Sequence, residues 1–118
     1  MIFWITIGVL IAGSFVASLY MKTLPGKYDS LAQCLGEKGV IFYGAYWCES
    51  CKEQKRLFGN SAKLLPYVEG FDDEKTMKPL CIEKKIVKHP AWDFADGSRH
   101  TGVQQPRVLA EKADCPML

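Results

Sequence analysis

The sequence predicts an α/β domain carried behind one long apolar helix, and three observations point that way. Residues 1–21 contain no charged side chain, and Lys22 closes the run. Beyond them, stretches of helical periodicity alternate with short apolar runs in the order helix, strand, helix, strand, helix, strand, strand, helix. Between the first strand and the helix that follows it stands Cys48-Glu49-Ser50-Cys51.

A helix over 1–21 rises about 1.5 Å per residue and reaches roughly 30 Å, the hydrocarbon thickness of a bilayer. Trp4 and Tyr20 stand near its two ends, where interfacial aromatic residues are enriched. A cleaved signal peptide competes with this, and Val16-Ala17-Ser18 offers small residues for cleavage. No Lys or Arg forms a basic start, however, and the run exceeds an ordinary signal core of about 7 to 15 residues. A retained transmembrane anchor is therefore expected over 1–21. Lys22 and Lys27 follow the span, and counting charges alone would put that side in the cytoplasm. The five cysteines instead suit a compartment where disulfides persist, and the domain is expected on the extracytoplasmic side.

Residues 22–27 (KTLPGK) read as a linker, with Pro25 and Gly26 as breakers, and 28–118 as the folded domain. Asp29 or Ser30 can cap a first helix to about Lys38, on which Leu31, Cys34 and Leu35 share a face. Gly39 ends it. Val40–Tyr46 (VIFYGAY) is a continuous apolar run, as in a strand buried on both faces. The next helix runs from about Cys48 to Phe58 and stops at Gly59-Asn60. Ser61 begins a short helical turn, and Pro66 introduces a strand at Tyr67-Val68-Glu69. After the acidic loop 70–75, a third helix starts at Met77 or Pro79, with the proline in its first turn. Ala91–Phe94 and Arg99–Thr101 form a hairpin about Asp96-Gly97, and Pro106 opens a last helix to about Asp114.

Fifteen Lys and Arg against thirteen Asp and Glu leave a net charge of +2, interspersed along the chain. That balance is too small to imply a nucleic acid or an acidic partner.

The chemistry concentrates at Cys48 and Cys51. A sulfur at a helix N-terminus meets unpaired N–H groups and the positive end of the helix dipole, which favour a thiolate. A second sulfur one turn on can close a disulfide or resolve a mixed one. Zinc is the rival for any such pair, but a structural site needs four ligands. Cys34, Cys81 and Cys115 are scattered and His89 and His100 stand alone in sequence, so no metal is expected. Nor is an organic cofactor. A static bond is the other alternative, although so small a loop would constrain the unfolded chain little.

Tyr46-Trp47-Cys48-Glu49-Ser50-Cys51-Lys52 after an apolar strand, with Lys88-His89-Pro90-Ala91-Trp92 further on, resembles the thioredoxin superfamily. More narrowly, 28–68 is similar to the thioredoxin-like domains associated with vitamin K epoxide reductase homologues. The tail Ala110–Cys115 fits small bacterial relatives of those domains. The resemblance implies a thioredoxin-like fold, a central mixed sheet flanked by helices, preceded here by the N-terminal transmembrane helix. It implies thiol–disulfide exchange with client proteins, Cys48 as nucleophile, Cys51 as resolving thiol and Pro90 as a cis-proline facing them. It also implies a quinone-linked membrane oxidoreductase of the vitamin K epoxide reductase type as partner.

A cis-proline before a strand exposes the backbone of the residue ahead of it, here His89, to an incoming peptide. His89 and Pro90 therefore join Trp47 as candidate substrate-binding residues. Trp47 either borders the reactive sulfur or covers the core, while Trp92, alternating with Asp93, belongs to the core. Neither histidine ring is assigned a catalytic role. The alternative to an enzyme is a membrane-tethered binding module with an inert Cys48–Cys51 bond.

Three departures from the family pattern matter. Glu49-Ser50 replaces Pro-His between the cysteines, and a carboxylate beside the nucleophile opposes a second negative charge, which predicts a more reducing pair. Phe42 stands where thioredoxins carry a buried aspartate, leaving Glu49 or water as proton acceptor for Cys51. Gly70 stands where relatives have a cysteine paired with one near Cys81. Among Cys34, Cys81 and Cys115 three pairings are possible. A Cys34–Cys115 bridge would tie the first helix to the tail; alternatively Cys34 is simply a small buried apolar residue.

Overall fold

The apolar run around Phe42 becomes the centre of the sheet. A computed structural model describes residues 1–117, leaving aside the side chains of 21–23; Leu118, the last position of the expected domain, lies outside the described residues. The run contributes β1 (Ile41–Gly44), shorter than the 40–46 read from the sequence. The chain must turn before the next helix, and Cys48 N–H closes that turn on the Ala45 carbonyl at 3.1 Å. The helix α3 (Glu49–Phe58) then crosses over to β2 (Tyr67–Glu69), which pairs with β1 in parallel, a connection parallel strands require. The strands β3 (Ala91–Asp93) and β4 (Arg99–Thr101) form the expected hairpin, and β3 lies antiparallel on the other side of β1. The order is β2-β1-β3-β4. This is an α/β fold with a central mixed sheet flanked by helices, as the thioredoxin-like expectation requires.

Successive side chains of a strand point to opposite faces, and both faces here are covered. On one, Phe42 stacks on Trp92 at 4.4 Å between ring centroids and meets the edge of Tyr67. Leu31 and Leu35 of α2 (Asp29–Glu37), Phe58 of α3 and Leu109 of α5 (Pro106–Ala113) complete this core. Trp92 is fully buried, as its alternation with Asp93 implies. On the opposite face Tyr43 and Ala91 pack against Cys81 of the short helix α4 (Pro79–Glu83) and against Ile86. The apolar character of β1 on both sides thus follows from its central place.

Asp29 is not the cap of α2 but its first residue, with Tyr28 ahead of it. Its carboxylate is engaged elsewhere: it accepts the Ser61 hydroxyl at 2.8 Å and the Gly26 N–H at 3.1 Å, while Ser61 Oγ accepts the Tyr28 N–H. The later part of the expected linker is thereby fastened to the 3₁₀ turn Gly59–Leu64, where Asn60 also donates to the Leu24 carbonyl.

Cys34 of α2 is bonded to Cys115 just beyond α5, across a sequence separation of 81 residues. The bridge closes most of the domain into one loop, which costs the unfolded chain entropy. The double variant Cys34→Ala/Cys115→Ala is expected to lose about 2–4 kcal/mol of unfolding free energy, measured by denaturant titration of the full chain.

The helix α1 (Ile2–Thr23) contains a stretch, Ile2–Tyr20, that is long and apolar enough to cross a membrane, and none of its side chains is buried against the protein.

Candidate active site

Cys48 is the N-cap residue of α3: its backbone is extended, and its carbonyl already accepts the Lys52 N–H at 3.1 Å. Cys51 lies on the first turn, on the buried face it shares with Gln54 and Phe58. Both sulfurs are free thiols. Both residues are buried, Cys48 at 7% exposure and Cys51 at 1%, which leaves the first the more accessible of the two. Burial pushes the Cys51 thiol up to about 12, and the neighbouring Cys48 adds to the rise. The Ala45 N–H, 3.5 Å from Cys51 Sγ, and the Lys55 ammonium pull the other way. Cys51 is thus held as the neutral thiol near pH 7.

The sulfur of Cys51 can sit this deep because β1 ends in glycine. A Cβ at Gly44 would stand 3.2 Å from Cys51 Sγ and 2.7 Å from the Tyr67 ring, so any larger residue would displace one or the other.

The bond between His89 and Pro90 is cis, as the resemblance implies, and places His89 against both cysteines. The His89 carbonyl lies 3.9 Å from Cys48 Sγ, and its ring nitrogen Nδ1 lies 4.0 Å from Cys51 Sγ. The ring is held edge-on by Trp47 at 5.3 Å and by Phe71 at 5.5 Å, and these two aromatics also pack on each other. Trp47 therefore borders the pair rather than the central core. Its indole N–H is buried and has no hydrogen-bond partner among the described residues.

The sequence hid the part played by the His89 ring. It stands alone in the chain, yet the fold brings its nitrogen and the two sulfurs within 4.8 Å of one another, a set of donors that could hold a metal ion. The signal available was its position directly before a proline that opens a strand. Glu49, by contrast, points to solvent and pairs with Lys52 at 3.3 Å, away from Cys51. His100 packs edge-on against Phe94 in the far hairpin and takes no part.

Cys81, fully buried on the other face of the sheet, lies opposite Gly70. A Cβ at position 70 would stand 3.9 Å from Cys81 Cβ, close to the roughly 3.8 Å typical of disulfides. Gly70→Cys is expected to form a bridge to Cys81 on oxidation, read as one fewer free thiol and a mass lower by two hydrogens. Retention of both thiols under oxidising conditions would show that the two sites do not align.

No family model matches the chain. The chain is similar to the thiol-disulfide oxidoreductase LTO1 of Arabidopsis thaliana, at 43% identity over 72 residues, covering 57% of this chain and 19% of the plant protein. That likeness supports a thioredoxin-like redox family. The chain spans about a fifth of the length of this relative, so the whole plant protein's activity is not carried across by the match alone.

Proposed function

We propose that this protein is a membrane-anchored thiol–disulfide oxidoreductase working through Cys48 and Cys51. The observation that carries this is the pair of free sulfurs, unequally exposed at the head of α3, facing the cis His89–Pro90 bond. In the reducing direction the Cys48 thiolate attacks one sulfur of a client disulfide. The client S–S bond breaks, and its leaving sulfur takes up a proton. Cys51 then gives up its proton and attacks Cys48 Sγ, releasing the second client thiol. The pair ends oxidised by two electrons and the client reduced by two; the reverse sequence oxidises a client dithiol.

His89 Nδ1 is our candidate for the proton acceptor of Cys51, in place of the aspartate that Phe42 replaces. Trp47 and the His89 backbone, both half-buried, form the client-facing rim, while the ring of Pro90 is fully buried behind them and acts through the cis bond that presents the His89 backbone. Residues 1–21 serve as the anchor and 22–27 as the connection to the domain 28–118. The Cys34–Cys115 bridge supports a place outside the cytoplasm. The partner that would re-set the pair, a quinone-linked membrane oxidoreductase of the vitamin K epoxide reductase type, rests on the sequence resemblance.

Reduction of insulin by the full chain in detergent, with dithiothreitol as electron donor, tests the activity. Cys48→Ser is expected to fall to the uncatalysed rate. Equal and negligible rates for wild type and variant would leave the protein as a tethered binding module.

A further inference from the structure

We propose that the reduced pair and His89 together form a zinc site. Cys48 Sγ, Cys51 Sγ and a ring nitrogen of His89 lie within 4.8 Å of one another, with Nδ1 4.0 Å from Cys51 Sγ. For three atoms so close, some point lies about 2.8 Å or less from each, near the roughly 2.3 Å Zn–S and 2.0–2.1 Å Zn–N distances. A contraction of about 0.5–0.8 Å at each donor brings all three within bonding range of the ion. Two thiolates and one imidazole with water in the fourth place is an established zinc set of the open type.

The surroundings suit such an ion. Two thiolates neutralise Zn²⁺, so the complex carries no net charge into a pocket walled by Trp47 and Phe71. The Ala45 N–H points at Cys51 Sγ from 3.5 Å, the kind of donor that supports a metal-bound thiolate. Trp47 and Phe71, both edge-on, fix the plane of the imidazole before any ion arrives. The backbone of His89 belongs to the strand-side wall and the sulfurs to α3, so the ion would span both sides of the site.

Loading releases two protons, one from each thiol, and forms two Zn–S bonds and one Zn–N bond. A client disulfide reverses it: the two bound thiolates are oxidised to the Cys48–Cys51 bond, the client disulfide takes their two electrons and two protons from solvent to become two thiols, and Zn²⁺ leaves. Zinc and clients thus compete for one pair of sulfurs.

The test is competition of the reduced full chain, in detergent, with a chromogenic zinc indicator, using zinc alone as the probe. Wild type is expected to take up one zinc per chain when reduced and none at that site when the pair is oxidised. His89→Ala should weaken binding by at least the roughly 10- to 100-fold that losing a supporting group of a metal site costs. Its melting curve serves as the check that it folds. Cobalt(II) in place of zinc should give thiolate-to-metal charge-transfer absorption that is reduced in Cys48→Ser. Equal uptake by oxidised and reduced wild type, or unchanged affinity in folded His89→Ala, would overturn the proposal. These readouts need no turnover, so either result leaves the exchange activity to its own assay.

Discussion

Cys51→Ser is expected to arrest the protein as a covalent complex with its client, joined through Cys48, and to lower multiple-turnover exchange by about 10²-fold or more. Cys48 keeps its place at the N-cap and its 7% exposure, so the first attack proceeds. Resolution then depends on an external thiol at millimolar concentration, whereas Cys51 is held beside the bond and acts at a far higher effective concentration. The serine hydroxyl still offers the Ala45 N–H an acceptor and fits beside Gly44, so the fold should persist. The trapped species is read on a non-reducing gel and collapses on addition of dithiothreitol. The buried Cys51 thiol, pushed up to about 12, adds a companion observable in the wild type. At neutral pH iodoacetamide should modify Cys48 first and leave Cys51 as thiol, because the thiolate is the species that reacts. Cys51 alkylated ahead of Cys48, or a Cys51→Ser variant that turns over at the wild-type rate, would reverse the assigned order of the two sulfurs.

Periodicity and punctuation made most of the fold legible. The strand at Tyr67–Glu69 and the start of α5 at Pro106 lie where Pro66 and Pro106 announce them, and Asp96-Gly97 marks the β3–β4 turn. The pair at Cys48 and Cys51 stood out because its chemistry is local: a strand end, a helix start and two sulfurs one turn apart. What stayed hidden was set by packing between distant segments. Asp29 looked like a helix cap because its residue type favours that role, yet Ser61, distant in sequence, claims its carboxylate. The choice of Cys34–Cys115 among three pairings depends on α2 lying beside the end of α5. Phe42 registered as the loss of a buried acid, and only its stacking on Trp92 explains why an aromatic residue occupies that place. The His89 ring reaches Cys51 across 38 residues of sequence, a distance that no local pattern spans.

Gln54→Leu is expected to destabilise the protein by about 3 kcal/mol or more and to slow exchange with it. Gln54 is a buried polar residue with no exposure, and among the described residues its side-chain hydrogen bonds tie α3 to β3 and to the segment that leads into α5. Its amide nitrogen donates to the Gln104 carbonyl at 2.8 Å; its oxygen accepts the Gln104 N–H at 2.7 Å and the Trp92 indole N–H at 3.1 Å. Leucine fills the space but takes the acceptor from the buried Trp92 indole N–H and the partner from the half-buried Gln104 N–H and carbonyl, and a buried group left so costs about 1–3 kcal/mol. The consequence reaches the site because Gln54 follows Cys51 on the same buried face of α3, while Trp92 follows Pro90 on β3. The network therefore fixes α3, which starts at Cys48, against β3, which starts just after the cis-proline. Denaturant unfolding of the full chain measures the first effect, and insulin reduction under conditions where the variant is fully folded measures the second. A variant as stable as the wild type would mean that the buried amide contributes no more than its volume. A destabilised variant with undiminished exchange would mean that α3 and β3 hold their relative positions through the aromatic core alone.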